Sequence, residues 1–195
     1  MIRLGVLASG NGTNAINFHQ YFSNHESVEL AKIYCNNPVA GVITKGFSNN
    51  IPTQVFTRRQ LLNGALLEQL KRDNIDVVVL AGFLWLVPQN LIEGYPNRII
   101  NIHPALLPNY GGKGMYGMNV HQAVIEAKEK QSGITIHLVD EKYDTGDHLF
   151  QATADIEQGE TPESLAKKIH ELEYAHFPVV VEEFVQKEFK SKLGQ

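Results

Sequence analysis

Two side chains able to do polar chemistry stand two residues apart at the end of an apolar run: Asn101 and His103 in Arg98-Ile-Ile-Asn-Ile-His-Pro-Ala-Leu-Leu-Pro108. On a β-strand, residues two apart share a face, so the amide and the imidazole are expected to project together. Pro104 cannot donate to a ladder and should end the strand there. An amide N–H suits a developing oxyanion, and an imidazole can stabilise that charge or carry a proton. A third member is expected in Asp144 of Tyr143-Asp-Thr-Gly146. A carboxylate beside an imidazole raises its pKa and holds its tautomer, although an Asx turn is the plainer reading of this aspartate. His137, on an alternating run with Thr135 and Val139, reads as a structural hydrogen-bonding histidine. No serine or cysteine elbow accompanies the trio, which disfavours covalent catalysis. No His-Glu-x-x-His or Cys-x-x-Cys spacing calls for a metal, and none is expected. What remains is direct group transfer.

A second polar cluster, Ser9-Gly-Asn-Gly-Thr-Asn14, follows the first apolar run and opens a helix. Free backbone N–H groups and the positive end of a helix dipole favour an anion there. The second strand ends in Cys35-Asn-Asn37 without an acid for a ribose, which argues against a dinucleotide fingerprint. The Walker lysine is missing too. A single phosphate is the expected ligand.

These clusters need elements to position them. Near-continuous apolar runs predict strands over Leu4–Ala8, Glu29–Cys35, Thr53–Phe56, Asp76–Leu80 and Arg98–His103. Helical stretches alternate with them: from the glycine loop to about Phe22, through Ala40–Phe47, over Thr57–Lys71 with leucines 62, 66 and 70 on one face, and after Pro88. That alternation predicts an α/β fold: an open, mostly parallel twisted sheet with helices on both faces. Gly133–Val139 alternates and His148–Ala154 is extended, which predicts antiparallel additions at the C-terminal edge. Thr161-Pro162 opens a long helix to about Lys190, with Pro178 expected to kink it. Gly111–Gly117 reads as a mobile loop that packs on bound ligand. A single domain over 1–195 is expected.

The chain has 195 residues, 43% of them hydrophobic, and a formal net charge of −4. Nothing in that balance suggests a nucleic-acid or membrane partner. Its one cysteine, Cys35, cannot form an internal disulfide and reads as a small core residue. With neither a signal peptide nor a membrane span in view, a cytoplasmic protein is expected.

Gly10-Asn-Gly-Thr-Asn14, Ala81-Gly-Phe83, Asn101-Ile-His-Pro104 with Leu106-Leu-Pro108, and Asp144-Thr-Gly146 together resemble the folate-dependent formyltransferase family. The Asn-Gly-Thr-Asn loop resembles its glycinamide ribonucleotide branch. The resemblance covers nearly the whole chain. It implies a Rossmann-like formyltransferase fold and transfer of a formyl group from 10-formyltetrahydrofolate to the amino group of glycinamide ribonucleotide, in purine biosynthesis. It assigns catalysis to Asn101, His103 and Asp144, and the acceptor and its phosphate to Gly12, Thr13, Asn14 and Glu173. It assigns the folate to Arg59, Leu84, Trp85, Leu86, Val87, Asn101, Asp140 and Asp144. It implies small-molecule substrates only, no metal, and a monomer or homodimer. Two features depart from the pattern: Asp147-His148 after the Asp-x-Gly turn, and Trp85 in the folate segment, where core packing is the competing role. The sister families that act on transfer RNA or deformylate folate carry an extra domain, for which 195 residues are expected to leave no room. A non-catalytic binding module on the same fold is the competing reading, and it has little use for the intact trio.

Overall fold

The two central strands of the sheet, Ile2–Ala8 and Val77–Leu80, are apolar and buried at nearly every position, so both of their faces are covered. The computed structural model describes residues 1–194. Its strands are β1 (Ile2–Ala8), β2 (Val28–Cys35), β3 (Thr53–Val55), β4 (Val77–Leu80), β5 (Ile99–His103), β6 (Gln131–Leu138) and β7 (His148–Asp155). They form one sheet in the order β3-β2-β1-β4-β5-β6-β7. β1 to β5 pair in parallel, and β6 and β7 are antiparallel additions, as the change of pattern after residue 130 predicts.

The helices are α1 (Thr13–Phe22), α2 (Gly41–Ser48), α3 (Arg58–Leu62), α4 (Ala65–Arg72), α5 (Gln89–Gly94), α6 (Met118–Glu126), α7 (Pro162–Glu188) and α8 (Lys190–Leu193). Leu4, Val6, Val77, Val79, Ile100 and Ile102 pack with Phe18, Val120 and Phe177 of α1, α6 and α7. Leu7, Val78, Leu80 and Ile99 pack on the other side with Leu61, Leu66, Leu70 and Leu91 of α3, α4 and α5. Two cores divided by one sheet is the outcome expected for strands buried on both faces. Among the described residues, no helix is long and apolar enough to cross a membrane.

The sequence misleads at two places. The predicted helix over Thr57–Lys71 is two helices, because Gly64 adopts φ +84° and breaks the run between them. Leu62 is accordingly 57% exposed while Leu66 and Leu70 are buried. Helix α6 was not expected at all. α7 runs through Pro178 to Glu188, the long helix that the sequence predicts. A proline there leaves the carbonyl of Tyr174 without its helical donor, and Asn17 Nδ2 of α1 donates to that oxygen at 2.9 Å.

β1 and β4 are neighbours, but the chain leaves them in opposite directions: outward to β2 and β3 from one, onward to β5 from the other. Such a reversal opens a crevice at the carboxyl ends of the strands, where open α/β sheets bind ligands.

Candidate active site

That crevice is a cavity of about 750 Å³, within the range of small-molecule sites. Its walls come from the loop after β1, the segment after β4, the end of β5, the Gly112–Gly117 loop and α7. Ser9 ties the first two together: its N–H donates to the Gly82 carbonyl at 3.1 Å, and its Oγ accepts from Leu84 N–H at 3.0 Å.

Asn101, His103 and Asp144 converge on the cavity. His103 Nδ1 lies 3.6 Å from Asp144 Oδ2, and Asn101 Nδ2 lies 3.4 Å from Asp144 Oδ1. The shared face of positions 101 and 103 is therefore real, and the acid 41 residues on reaches both. His103 Nε2 donates to the Tyr110 carbonyl at 2.7 Å. A carbonyl only accepts, so Nε2 carries the proton and the neutral ring turns a lone pair at Nδ1 toward Asp144. The expectation that the aspartate raises the histidine's pKa is corrected in its balance. Burial, with His103 only 4% exposed, outweighs the pull of Asp144 and holds the imidazole below its usual value. Burial pushes the Asp144 carboxyl up. The positive charge that His137 and His103 carry when protonated, and the N–H of Gly112, 2.9 Å from Oδ2, outweigh it and hold Asp144 below the usual carboxylate range. Asp144 also sits at φ 57°, a left-handed conformation that aspartate tolerates better than most residues.

His137 belongs to this group, beyond the structural role its sequence suggests. It pairs with Asn101 across the β5–β6 ladder. Its Nδ1 donates to the Leu138 carbonyl at 2.8 Å, so Nε2 bears the lone pair and accepts from Asn101 Nδ2 at 3.0 Å. The amide is thereby turned with its NH2 toward His137 and Asp144. The 3.4 Å contact with Asp144 is the longer and weaker of the two.

The glycine loop is built as predicted. Gly12, at φ 76°, caps α1. A Cβ there would approach Val42 Cα to 2.8 Å, so α2 seals the loop from behind. Lys45 of α2 donates to Asn11 Oδ1 at 2.7 Å, adding a cation the sequence reading missed. Gly12, Thr13 and Asn14 line the cavity. Asn14 Nδ2 donates to Glu173 Oε2 at 2.8 Å, which brings the first helix and the last long one to one corner. Glu173 is 7% exposed, and burial pushes its carboxyl up against the opposing pull of Asn14 and His170.

Leu84, Trp85, Leu86 and Val87 also line the cavity. Leu84 and Leu86 are 45% and 43% exposed, an uncovered apolar wall. Trp85 lines the cavity and packs edge-on against Phe56 with ring centroids 6.1 Å apart. Asp140 is outside the cavity lining; it accepts from Thr145 Oγ1 at 2.7 Å and Lys142 N–H at 3.0 Å, so it shapes the turn that carries Asp144. Arg59 is exposed on α3, outside the cavity lining. Among the described residues, no cluster of three or more His, Cys, Asp or Glu side chains is placed to hold a metal ion.

Comparison with known proteins agrees with this geometry. Residues 2–181 match the family described as Formyl transferase. The chain is 39% identical over 186 residues to "Phosphoribosylglycinamide formyltransferase, chloroplastic" of Arabidopsis thaliana, covering 92% of this chain and 64% of that protein. A chloroplastic relative from Vigna unguiculata is covered over 60% of its length, so the chain spans under two thirds of these two plant proteins. It is 33% identical to the Bacillus subtilis phosphoribosylglycinamide formyltransferase over 95% of both chains. The crystal structure of the Anaplasma phagocytophilum enzyme of that name superposes with a TM-score of 0.87 at 33% identity, covering 95% of this chain and 87% of that one. With the family matched over nearly the whole sheet, and the amide, imidazole and carboxylate at its crevice, this chain belongs to the formyl transferase family.

Proposed function

We propose that the chain transfers a formyl group from 10-formyltetrahydrofolate to the amino group of glycinamide ribonucleotide, in purine biosynthesis, acting on these two small molecules in the cytoplasm. One observation carries the reading. A single cavity joins the Asn101–His103–Asp144 trio to the glycine loop at the start of α1 and to the apolar wall of Leu84–Val87. The names of the relatives point the same way.

In this reading Gly12, Thr13 and Asn14, at the positive end of α1, hold the phosphate. Glu173 takes the ribose hydroxyls. Leu84, Trp85, Leu86 and Val87 receive the pterin, with Asn101 and Asp144 at its reacting end, Asp140 holding the turn, and Arg59 toward the anionic tail outside. The acceptor's amine attacks the formyl carbon, and the carbonyl oxygen becomes an oxyanion. Asn101 turns its weakly held N–H to that oxygen, where the charge develops. His103 takes the proton leaving the amine at Nδ1, and Asp144 stabilises the imidazolium that results. The carbon–nitrogen bond to the donor then breaks, the donor nitrogen takes the proton, and tetrahydrofolate leaves.

Mixing the purified chain with both substrates and following tetrahydrofolate release by absorbance tests the proposal. Multiple turnovers are expected. Binding of glycinamide ribonucleotide without any turnover makes the chain a binding module and overturns the reading.

A further inference from the structure

Four sealed side-chain atoms among the described residues meet no hydrogen-bond partner: Asn14 Oδ1, Asn90 Oδ1, His121 Nδ1 and Ser132 Oγ. Two of these residues, Asn14 and His121, line the cavity already described, in company with His170 and Glu173. Buried polar groups are nearly always paired, so an unpaired one in a ligand cavity calls for a reason.

His121 comes from α6, whose Val120 and Val124 are core residues. It is 2% exposed. It lines the cavity together with His103 of β5 and His170 and Glu173 of α7. Burial keeps the ring neutral, its pKa pushed down to about 4. A neutral imidazole has one N–H and one lone pair. Orphaned buried N–H groups are rarer than orphaned acceptors, so the sealed Nδ1 is the lone pair and Nε2 is the donor.

We propose that His121 is a specificity-determining residue for the acceptor, its Nε2–H hydrogen-bonding an amide or hydroxyl oxygen in the stretch between the phosphate and the reacting amine. The inference rests on the function proposed above and deepens it. The phosphate sits at Gly12–Asn14 in that reading and the amine at His103, and His121 lines the same cavity as both. A donor left unpaired until substrate arrives discriminates strongly, because an acceptor lacking the oxygen leaves it buried and unsatisfied.

The sign of the stability change separates this role from a packing role. In His121→Leu the free protein should melt at or above the wild-type temperature, since an unsatisfied polar group has gone. KM for glycinamide ribonucleotide should rise about tenfold, with KM for 10-formyltetrahydrofolate unchanged. His121→Gln, which returns a donor at similar reach, should recover most of the loss. An unchanged acceptor KM in His121→Leu overturns the proposal. So does a loss that His121→Gln fails to recover when both variants melt like wild type. Should the leucine variant not fold, the wild-type Nε2 nitrogen resonance, assigned with His121→Gln, must shift on adding glycinamide ribonucleotide; a static resonance is equally fatal. Wild-type turnover is the control: its absence sinks the proposed function, whereas its presence beside an unaffected variant sinks only the role of His121.

Discussion

At the scale of single residues, the site turns on how Asn101 spends its two amide hydrogens. One goes to His137 at 3.0 Å and the other, weakly, to Asp144 at 3.4 Å. Asn101→Ala should lower kcat by two to three powers of ten, roughly 3 kcal/mol, the usual worth of one oxyanion donor. Steady-state kinetics should show much smaller changes in either KM, because the oxyanion exists mainly in the transition state. His137 acts through Asn101. His137→Phe should lower kcat about tenfold, on the order of one hydrogen bond, yet add almost nothing in an Asn101→Ala background. Additive losses in that double-mutant cycle would show His137 working independently. The pair Asn101 and His103 was legible in the sequence because a strand repeats every two residues. The part played by His137 was not, because cross-strand register is a non-local property. Nor was the net pKa of His103, since the sequence shows a carboxylate partner but not the depth of burial that outweighs it.

At the scale of elements, the Asn14–Glu173 corner of the cavity depends on α1 meeting α7, and an irregularity makes that joint. Pro178 frees the Tyr174 carbonyl, Asn17 of α1 donates to it, and Phe18 stacks edge-on against Phe177 with centroids 4.9 Å apart. Asn14 and Glu173 sit one turn away on the same two helices. Asn17→Ala should cost about 1 kcal/mol of stability, the net value of one hydrogen bond with some allowance for the orphaned carbonyl. In a Pro178→Ala background the helix can supply its own donor, so the cost should fall well below that. Urea denaturation of the four proteins reads the coupling, and equal costs in both backgrounds would remove Asn17 from the joint. A proline inside an apolar pattern announced a disturbance of the helix; which side chain answers it was invisible without the packing. The same limit explains Thr57–Lys71. Leucine spacing continued across Asn63-Gly64, and only the left-handed backbone of Gly64 ends the first helix.

At the scale of the whole molecule, the sheet order places the loops after β1 and β4 and the end of β5 around one cavity. The alternation of strands and helices made that arrangement legible, since only a few topologies satisfy it. The same architecture buries a carboxyl group, Glu173, with one amide as its hydrogen-bonding partner. Burial raises its pKa above the value near 4.3 expected for an unfolded chain. As pH climbs past that unfolded value, the unfolded state loses its proton first, and the folded state is progressively disfavoured until Glu173 itself ionises. Its stabilising contribution is thus complete below the unfolded pKa and lost as pH rises through the folded one. Asp144 runs in the opposite sense, with stability present above the usual carboxylate pKa and lost in acid. A difference between Glu173→Gln and wild type isolates the first effect from the second. Melting temperatures should coincide near pH 4, and the glutamine variant should pull ahead as pH rises to 7 or 8. Acceptor affinity should fall in the same variant, since an ionised carboxylate accepts hydroxyl hydrogens better than an amide does. A glutamine variant less stable than wild type at neutral pH would mean that the buried carboxyl is a structural support, leaving its proposed place beside the acceptor without this rationale.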